Sequence, residues 1–172
     1  MELIKKQMVQ CRMLTEQDFC AAHKYPFLVC SAPSVRSIGG AKQQTPTIDR
    51  LVVGDDDPSK PSPGPGDWYL VTELVPQDAK ANKVSIGCGE GCDVRLEEDS
   101  VSRLHAWIAF ARHGIYVQDA GSSAGTAVNG KVLTEHDLVR LSPWDRISLG
   151  NVDFIFLPPR EFYAFVRSLS QR

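Results

Sequence analysis

Residues 86–110 read IGCGEGCDVRLEEDSVSRLHAWIAF, and residues 114–130 read GIYVQDAGSSAGTAVNG. Short apolar runs that alternate with polar residues, such as 106–110 and 115–118, are separated here by glycine, serine and aspartate. Such alternation is typical of strands with one buried face, and an Asn-Gly pair between two short runs (Asn129-Gly130) indicates a hairpin. This part of the chain is therefore predicted to consist of strands joined by tight turns.

The same pattern extends in both directions, over residues 68–157. Further β-prone runs lie at 69–75, 83–86, 146–149 and 152–157, with turn residues between them. Short strands at regular spacing predict an all-β fold with two antiparallel sheets packed as a sandwich. Its core is predicted to contain the same-face residues of these strands, namely Val84, Ile86, Ala106, Ile108, Phe110, Val117, Ile147, Leu149, Phe154 and Phe156.

Both ends of the chain carry helical appendages. Near the N-terminus, Thr15 can cap a helix with Asp18 three residues on, Pro26 is expected to end it, and residues 26–30 are predicted to form a short buried strand. Near the C-terminus, an apolar stripe at helical spacing needs cover, which the sandwich or the N-terminal helix should provide. The stripe consists of Phe162, Phe165, Val166 and Leu169.

These patterns divide the chain into four parts. Residues 1–53 are an N-terminal helix and strand extension, in which 47–53 is a further strand candidate. Residues 54–67 are rich in proline, glycine and aspartate, which predicts a linker or an exposed insertion. Residues 68–157 are the β-sandwich domain, and residues 158–172 are a C-terminal helix that docks on it.

Composition narrows the classes of partner. The chain has 172 residues and a formal net charge of −2, with lysine and arginine scattered, so we expect no nucleic-acid partner and no membrane surface. Its apolar runs are far shorter than the roughly 20 residues that span a bilayer. The five cysteines form no small-scaffold pattern, which predicts free thiols and a cytoplasmic location. No cofactor or metal is expected.

Several spaced motifs together resemble the forkhead-associated (FHA) domain. Gly87, Ser102-Arg103-Leu104-His105, Asp119-Ala120-Gly121-Ser122, Gly125-Thr126 and Asn129-Gly130 occur in the order and at the intervals of that family. The resemblance covers residues 68–157 and implies a SMAD/FHA-like sandwich without catalytic machinery. It also implies an adaptor in signalling, whose partner is a phosphothreonine-containing protein or another protein.

The resemblance assigns roles to individual residues. Ser102 would hydrogen-bond the phosphate, Arg103 would lie beside the phosphate or the peptide backbone, and Ser123 would supply a second hydroxyl. His105 would brace the loop from within through hydrogen bonds to neighbouring backbone. Gly87 and the Asn129-Gly130 turn would support the site rather than contact the ligand.

Two positions depart from the family pattern. Cys88 stands where the family has a phosphate-binding arginine, and Ala124 stands where it has an asparagine that bonds the peptide backbone. A guanidinium and a side-chain amide are therefore missing from the implied site. We expect phosphothreonine binding to be weakened. The alternative is a scaffold that binds partners independently of phosphate.

Two remoter alternatives have other chemistry. Gly121-Ser122-Ser123-Ala124-Gly125 satisfies the G-x-S-x-G pattern of a serine hydrolase, which requires a helix directly after the serine. Residues 126–130 are predicted to form a hairpin instead. Cys88 and Cys92 with a histidine, His105 or His113, are possible metal ligands, but their spacing is not that of a zinc site and four ligands are not evident.

Overall fold

The computed structural model describes residues 2–3, 10–11, 13–32, 37–38, 68–78 and 81–169. The strand candidate at 47–53 and the linker at 54–67 lie outside these residues. The described strands are β1 (Glu2–Leu3), β2 (Phe27–Ala32), β3 (Ser37–Ile38), β4 (Trp68–Glu73), β5 (Lys83–Gly87), β6 (Val94–Glu97), β7 (Ala106–Ala111), β8 (Gly114–Asp119), β9 (Thr126–Val128), β10 (Lys131–Val132), β11 (Val139–Leu141), β12 (Arg146–Leu149) and β13 (Val152–Leu157). The helices with assigned bounds are α1 (Glu16–Ala22) and α2 (Pro159–Leu169).

The strands form two sheets, and the predicted all-β sandwich is confirmed. One sheet has the order β1-β4-β2-β13-β12-β9-β10, and the other has the order β11-β8-β7-β5-β6-β3. The described pairs are antiparallel except for β5 and β6, which run parallel. These two strands pair only at their ends, Ile86 with Val94 and Gly87 with Arg95, so the six-residue loop 88–93 is enough to connect them.

The predicted core lies between the sheets. Nine of the ten residues named from the sequence are buried there, from Val84 on β5 to Phe156 on β13. Phe110 is the exception, because it is half-buried at the end of β7 and its ring meets the ring of Tyr25 edge-on at 5.5 Å. The side-chain alternation therefore identified the inward faces of the strands.

A second apolar cluster covers the outside of the first sheet. Leu28 and Cys30 on β2 face the sandwich core, whereas Phe27 and Val29 on the same strand face the two helices. The stripe on α2 is buried in this second cluster together with Phe19 of α1. The helices thus form a third layer on the back of the sheet.

The N-terminal helix begins as the sequence indicates but ends earlier. The Thr15 hydroxyl accepts a hydrogen bond from the Asp18 amide at 3.2 Å, which caps the first turn. The helix ends at Ala22 rather than at Pro26, because His23 adopts extended geometry. The His23 ring then contacts the carboxylate of Glu73 on β4 at 2.9 Å, which ties the end of the helix to the sheet.

Candidate functional site

Three loops meet at one end of the sandwich, and we call them the apical loops: residues 88–93, 98–105 and 120–125. Backbone hydrogen bonds join them to the strand ends and to each other. The amide of Cys88 donates to the carbonyl of Ser102 at 3.0 Å, and the amide of Ala120 donates to the carbonyl of His105 at 2.9 Å. The loops that carry the predicted site residues are therefore brought together.

Two glycines allow the first two loops to approach closely. A Cβ atom at Gly87 would lie 2.3 Å from the carbonyl oxygen of Arg103, and one at Gly89 would lie 2.7 Å from the same oxygen. The Gly89 amide donates to that oxygen at 2.9 Å, and the Cys92 thiol lies 3.1 Å from it. The backbone of Arg103 is thus fixed, while Arg103 itself is exposed. Side chains larger than hydrogen at 87 would push the loops apart.

His105 joins the second loop to the third. It is fully buried, its Nδ1 accepts from the amide of Ser102 at 3.1 Å, and its Nε2 lies 3.1 Å from the carbonyl oxygen of Gly125. Because Nδ1 is the acceptor, the ring proton lies on Nε2, which donates to Gly125. The bracing contacts expected of His105 are therefore present on both sides of the ring.

The two candidate phosphate-binding serines are in contact. The Ser102 hydroxyl oxygen accepts from the amide of Ser123 at 3.0 Å. A hydroxyl has one proton to donate, and in the described residues the Ser102 proton has no acceptor. Ser102 is half-buried, whereas Ser123 and Ala124 are exposed. The site therefore presents two hydroxyls and one guanidinium at the surface.

A buried carboxylate holds the third loop in shape. Asp119 accepts hydrogen bonds from the amides of Gly121 and Ser122, both at 2.9 Å, and from the hydroxyls of Ser122 and Thr126, both at 2.6 Å. Burial raises the pKa of Asp119, but these four hydrogen bonds outweigh burial and bring the pKa below its ordinary value. The Ser122 hydroxyl is therefore used within the loop, and the neighbouring Ser123 is the serine whose hydroxyl is available to a ligand.

Asp93 plays the same part at the end of the first loop. Its carboxylate accepts from the hydroxyl and the amide of Ser85 and from the amide of Gln77. Burial raises the pKa of Asp93, and the hydrogen bonds more than offset this, so the pKa lies below its ordinary value. Asp93, directly before β6, thus has a structural role.

We expect Asp119→Asn to lower the stability of the protein and to flatten its pH dependence. An ionised Asp119 is favoured in the folded state, so its contribution is present above the unfolded-state pKa of about 3.9 and is lost as the pH falls through the lower folded-state pKa. An amide repeats only some of the four bonds, at a cost of roughly 1–3 kcal/mol near neutral pH.

Urea unfolding at pH 7 and at pH 3 measures both effects. Asp99→Asn, at an exposed position in the second apical loop, is the matched control. Equal stability of the two variants at pH 7 would contradict the structural part assigned to Asp119.

Asn129-Gly130 lies at the far end of β9, away from the apical loops. Both residues have positive φ, 50° and 80°, as a type I′ hairpin turn requires. The Asn129 side chain also accepts from the amide of Arg146 at 2.9 Å and donates to Asp145 at 2.8 Å. It therefore fixes the start of β12, a contact that the local hairpin signal did not reveal.

Sequence reasoning missed one charge at the site. The carboxylate carbon of Glu135 lies 3.6 Å from the position that a Cβ would take at Gly121, so a negative charge borders the third loop. Nothing in the local pattern of residues 134–137 points to this contact. Glu135 opposes the positive field of Arg103 and disfavours the closest approach of an anion from its side.

The hydrolase and metal alternatives lack their structural context. Strand β9 begins three residues after Ser123, so the serine does not lie between a strand and a helix as a nucleophile elbow requires. Both ring nitrogens of His105 are engaged in hydrogen bonds, and the described residues contain no group of three or more metal-ligating side chains. None of the described helices is long and apolar enough to cross a membrane.

Comparison with known proteins agrees with this geometry. Residues 84–150 match the family model of the FHA domain, and the chain therefore contains an FHA domain. Protein FraH from Nostoc sp. (strain PCC 7120) is 46% identical over 55 residues, which is 32% of this chain. The chain spans about a fifth of that relative's length, since the match covers 19% of FraH.

Solved FHA domains resemble the chain. The FHA domain of the CT664 protein from Chlamydia trachomatis is 18% identical, with a TM-score of 0.43, over 77% of this chain and 96% of that one. The N-terminal FHA domain of Rad53p from S. cerevisiae, solved with a phosphothreonine peptide, is 18% identical, with a TM-score of 0.46, over 56% of this chain and 90% of that one.

Proposed function

We propose that this chain is a non-catalytic adaptor that binds phosphothreonine peptides at its apical loops, with Ser102, Arg103 and Ser123 as the contacts. FHA domains are phosphothreonine-recognition modules in signalling, and this chain contains one. The observation that carries the proposal is the hydrogen bond from the Ser123 amide to the Ser102 hydroxyl, at 3.0 Å. It orients the hydroxyl so that its proton is left for an acceptor outside the protein.

The arrangement suits a doubly charged phosphate. Phosphate oxygens accept hydrogen bonds only, and they bind best to donors that are held in fixed positions. His105 fixes the Ser102 amide, and the glycines at 87 and 89 fix the backbone of Arg103. The backbones of both residues therefore lose little conformational entropy when a phosphate binds.

The affinity is expected to be lower than a complete site would give. Cys88 offers a thiol, which is a weak donor without charge, and Ala124 offers no side-chain donor or acceptor. Compared with a complete site, this one would give a bound phosphate no guanidinium at position 88 and the peptide backbone no side-chain amide at position 124. The second candidate, a phosphate-independent scaffold on the same fold, is favoured by these same two positions.

Titration of a degenerate phosphothreonine peptide library against the chain tests the proposal. We expect binding that disappears after phosphatase treatment and that falls at least tenfold in Ser102→Ala, since a hydrogen bond to a charged group contributes about 1.5–3 kcal/mol. Ser142→Ala, an exposed serine beyond β11, is the matched control. Binding that survives phosphatase treatment would favour the phosphate-independent scaffold.

The boundaries of the domains and the cytoplasmic location remain predictions from the sequence. The partner is proposed to be a phosphorylated protein, without nucleic acid or membrane. The proposal takes nothing from the activities of FraH as a whole, because the region that the two proteins share is only 55 residues long.

A further inference from the structure

Arg95 lies beside the apical loops through an unusual strand pairing. It is the parallel partner of Gly87, the residue directly before Cys88, in one of the two residue pairs that join β5 and β6. Paired residues of neighbouring strands direct their side chains to the same face of the sheet. The side chain of Arg95 therefore leaves the sheet on the side to which a side chain at 87 would point.

That side is occupied by the loop of the proposed site. A Cβ atom at Gly87 would lie 2.3 Å from the Arg103 carbonyl oxygen and 2.9 Å from that of Ser102. The backbone that carries Ser102 thus lies against Gly87, and Arg95 flanks it from the adjacent strand. The core-facing neighbours of Arg95, Val94 and Leu96, are buried.

The guanidinium of Arg95 makes one long ion pair and leaves a donor unused. Its Nε is buried and has no hydrogen-bond partner in the described part of the chain. Its Nη2 lies 3.9 Å from the Glu97 carboxylate, which is too long for a hydrogen bond, and its side chain is 36% exposed. A buried donor without an acceptor is costly, and an anion at the loop would satisfy it.

We propose that Arg95 supplies to the bound phosphate the guanidinium that Cys88 lacks. The inference rests on the proposed phosphothreonine-binding function of the same loops. Arg95 lies on β6, the strand that directly follows the loop carrying Cys88, and its planar guanidinium suits two phosphate oxygens at once. The site would thus retain a charged donor, which comes from β6 instead of from position 88.

Three variants and one spectrum test the assignment. The probe is the degenerate phosphothreonine peptide library, with its unphosphorylated counterpart as reference. Arg95→Gln should lose about tenfold in affinity for the phosphorylated library, as loss of one charged hydrogen-bonding group predicts. Arg112→Gln, an exposed arginine in the β7–β8 turn at the opposite end of the sheet, should bind like wild type. Arg95→Lys should recover only part of the loss.

An NMR resonance of the wild-type protein reports contact between Arg95 and the phosphate without any variant, and so does not depend on variant stability. The Nε–H signal of Arg95, assigned through bonds, should shift when the phosphorylated library is added and stay in place with the unphosphorylated one. A static Nε–H signal, or equal affinities of Arg95→Gln and Arg112→Gln with phosphate-dependent binding intact, would overturn this assignment alone. Equal binding of both libraries to wild type would overturn it together with the proposed function.

Discussion

Cys88→Arg is expected to raise the affinity for phosphothreonine peptides roughly ten- to a hundredfold. The amide of Cys88 already donates to the Ser102 carbonyl at 3.0 Å, so the introduced side chain begins beside the backbone of Ser102. A guanidinium there would add charged hydrogen bonds to a phosphate that now meets a thiol. The unphosphorylated peptide should gain nothing.

Isothermal titration with both forms of the peptide measures this gain. Cys88→Ser removes the thiol without adding charge and should leave the affinity close to that of wild type. The gain should vanish in the Cys88→Arg, Ser102→Ala double variant, because both groups would hold one phosphate and act as a unit. It should be larger in an Arg95→Gln background, where no second guanidinium competes for the phosphate.

Two results would contradict this account. No gain in Cys88→Arg would mean that the apical loops are not a phosphate site, and the phosphate-independent scaffold would then lead. Tight binding by wild type would mean that a cysteine at position 88, in place of the family's arginine, does not lower the affinity for phosphothreonine. Arg95 or Arg103 would then carry the full role of the missing arginine.

Phe162→Ala is expected to have the largest effect on stability, about 3–5 kcal/mol. Phe162 is fully buried, its ring stacks on that of Phe27 at 4.0 Å, and the ring of Phe19 lies 6.1 Å away. Truncation therefore leaves a cavity at the junction of α1, α2 and β2. For a chain of this size the melting temperature should fall by roughly 6–20 °C.

Thermal unfolding followed by circular dichroism measures the fall. Arg160→Ala is the matched control on the same helix, since Arg160 only forms an exposed ion pair with Glu16, at 2.9 Å, worth about 0–1 kcal/mol. Removing residues 159–172 should lower the melting temperature as well and expose the apolar face beneath. A truncated protein that melts unchanged and stays monomeric would show instead that the tail is a free tether.

The sequence revealed those features that depend on neighbouring residues. Alternation identified the inward faces of the strands, because side chains of a strand point to opposite sides in turn. Thr15 identified the start of α1, and Asn129-Gly130 identified the β9–β10 hairpin, since each is a local signal. Phe110 deviates because it lies at the end of its strand, where alternation no longer guarantees cover.

Features that depend on distant pairing could not be predicted in this way. The parallel register that sets Arg95 beside Gly87 follows from how β6 meets β5, and no short motif encodes it. The same holds for Glu135 beside Gly121. Candidate contacts at Ser102, Arg103 and Ser123 came from resemblance, whereas the cations and anions around them required the structure.

The position of β2 has a practical consequence for dissecting this chain. β2 pairs with β4 on one side and with β13 on the other, yet it lies more than fifty residues before the region that matches the FHA family model. A fragment cut to residues 84–150 would lose all three strands, and one cut to residues 68–157 would keep β4 and β13 but lose the strand that joins them. β13 would then present a row of unpaired amides and carbonyls, which invites association with other chains. Fragments intended for binding measurements should therefore retain residues 27–32.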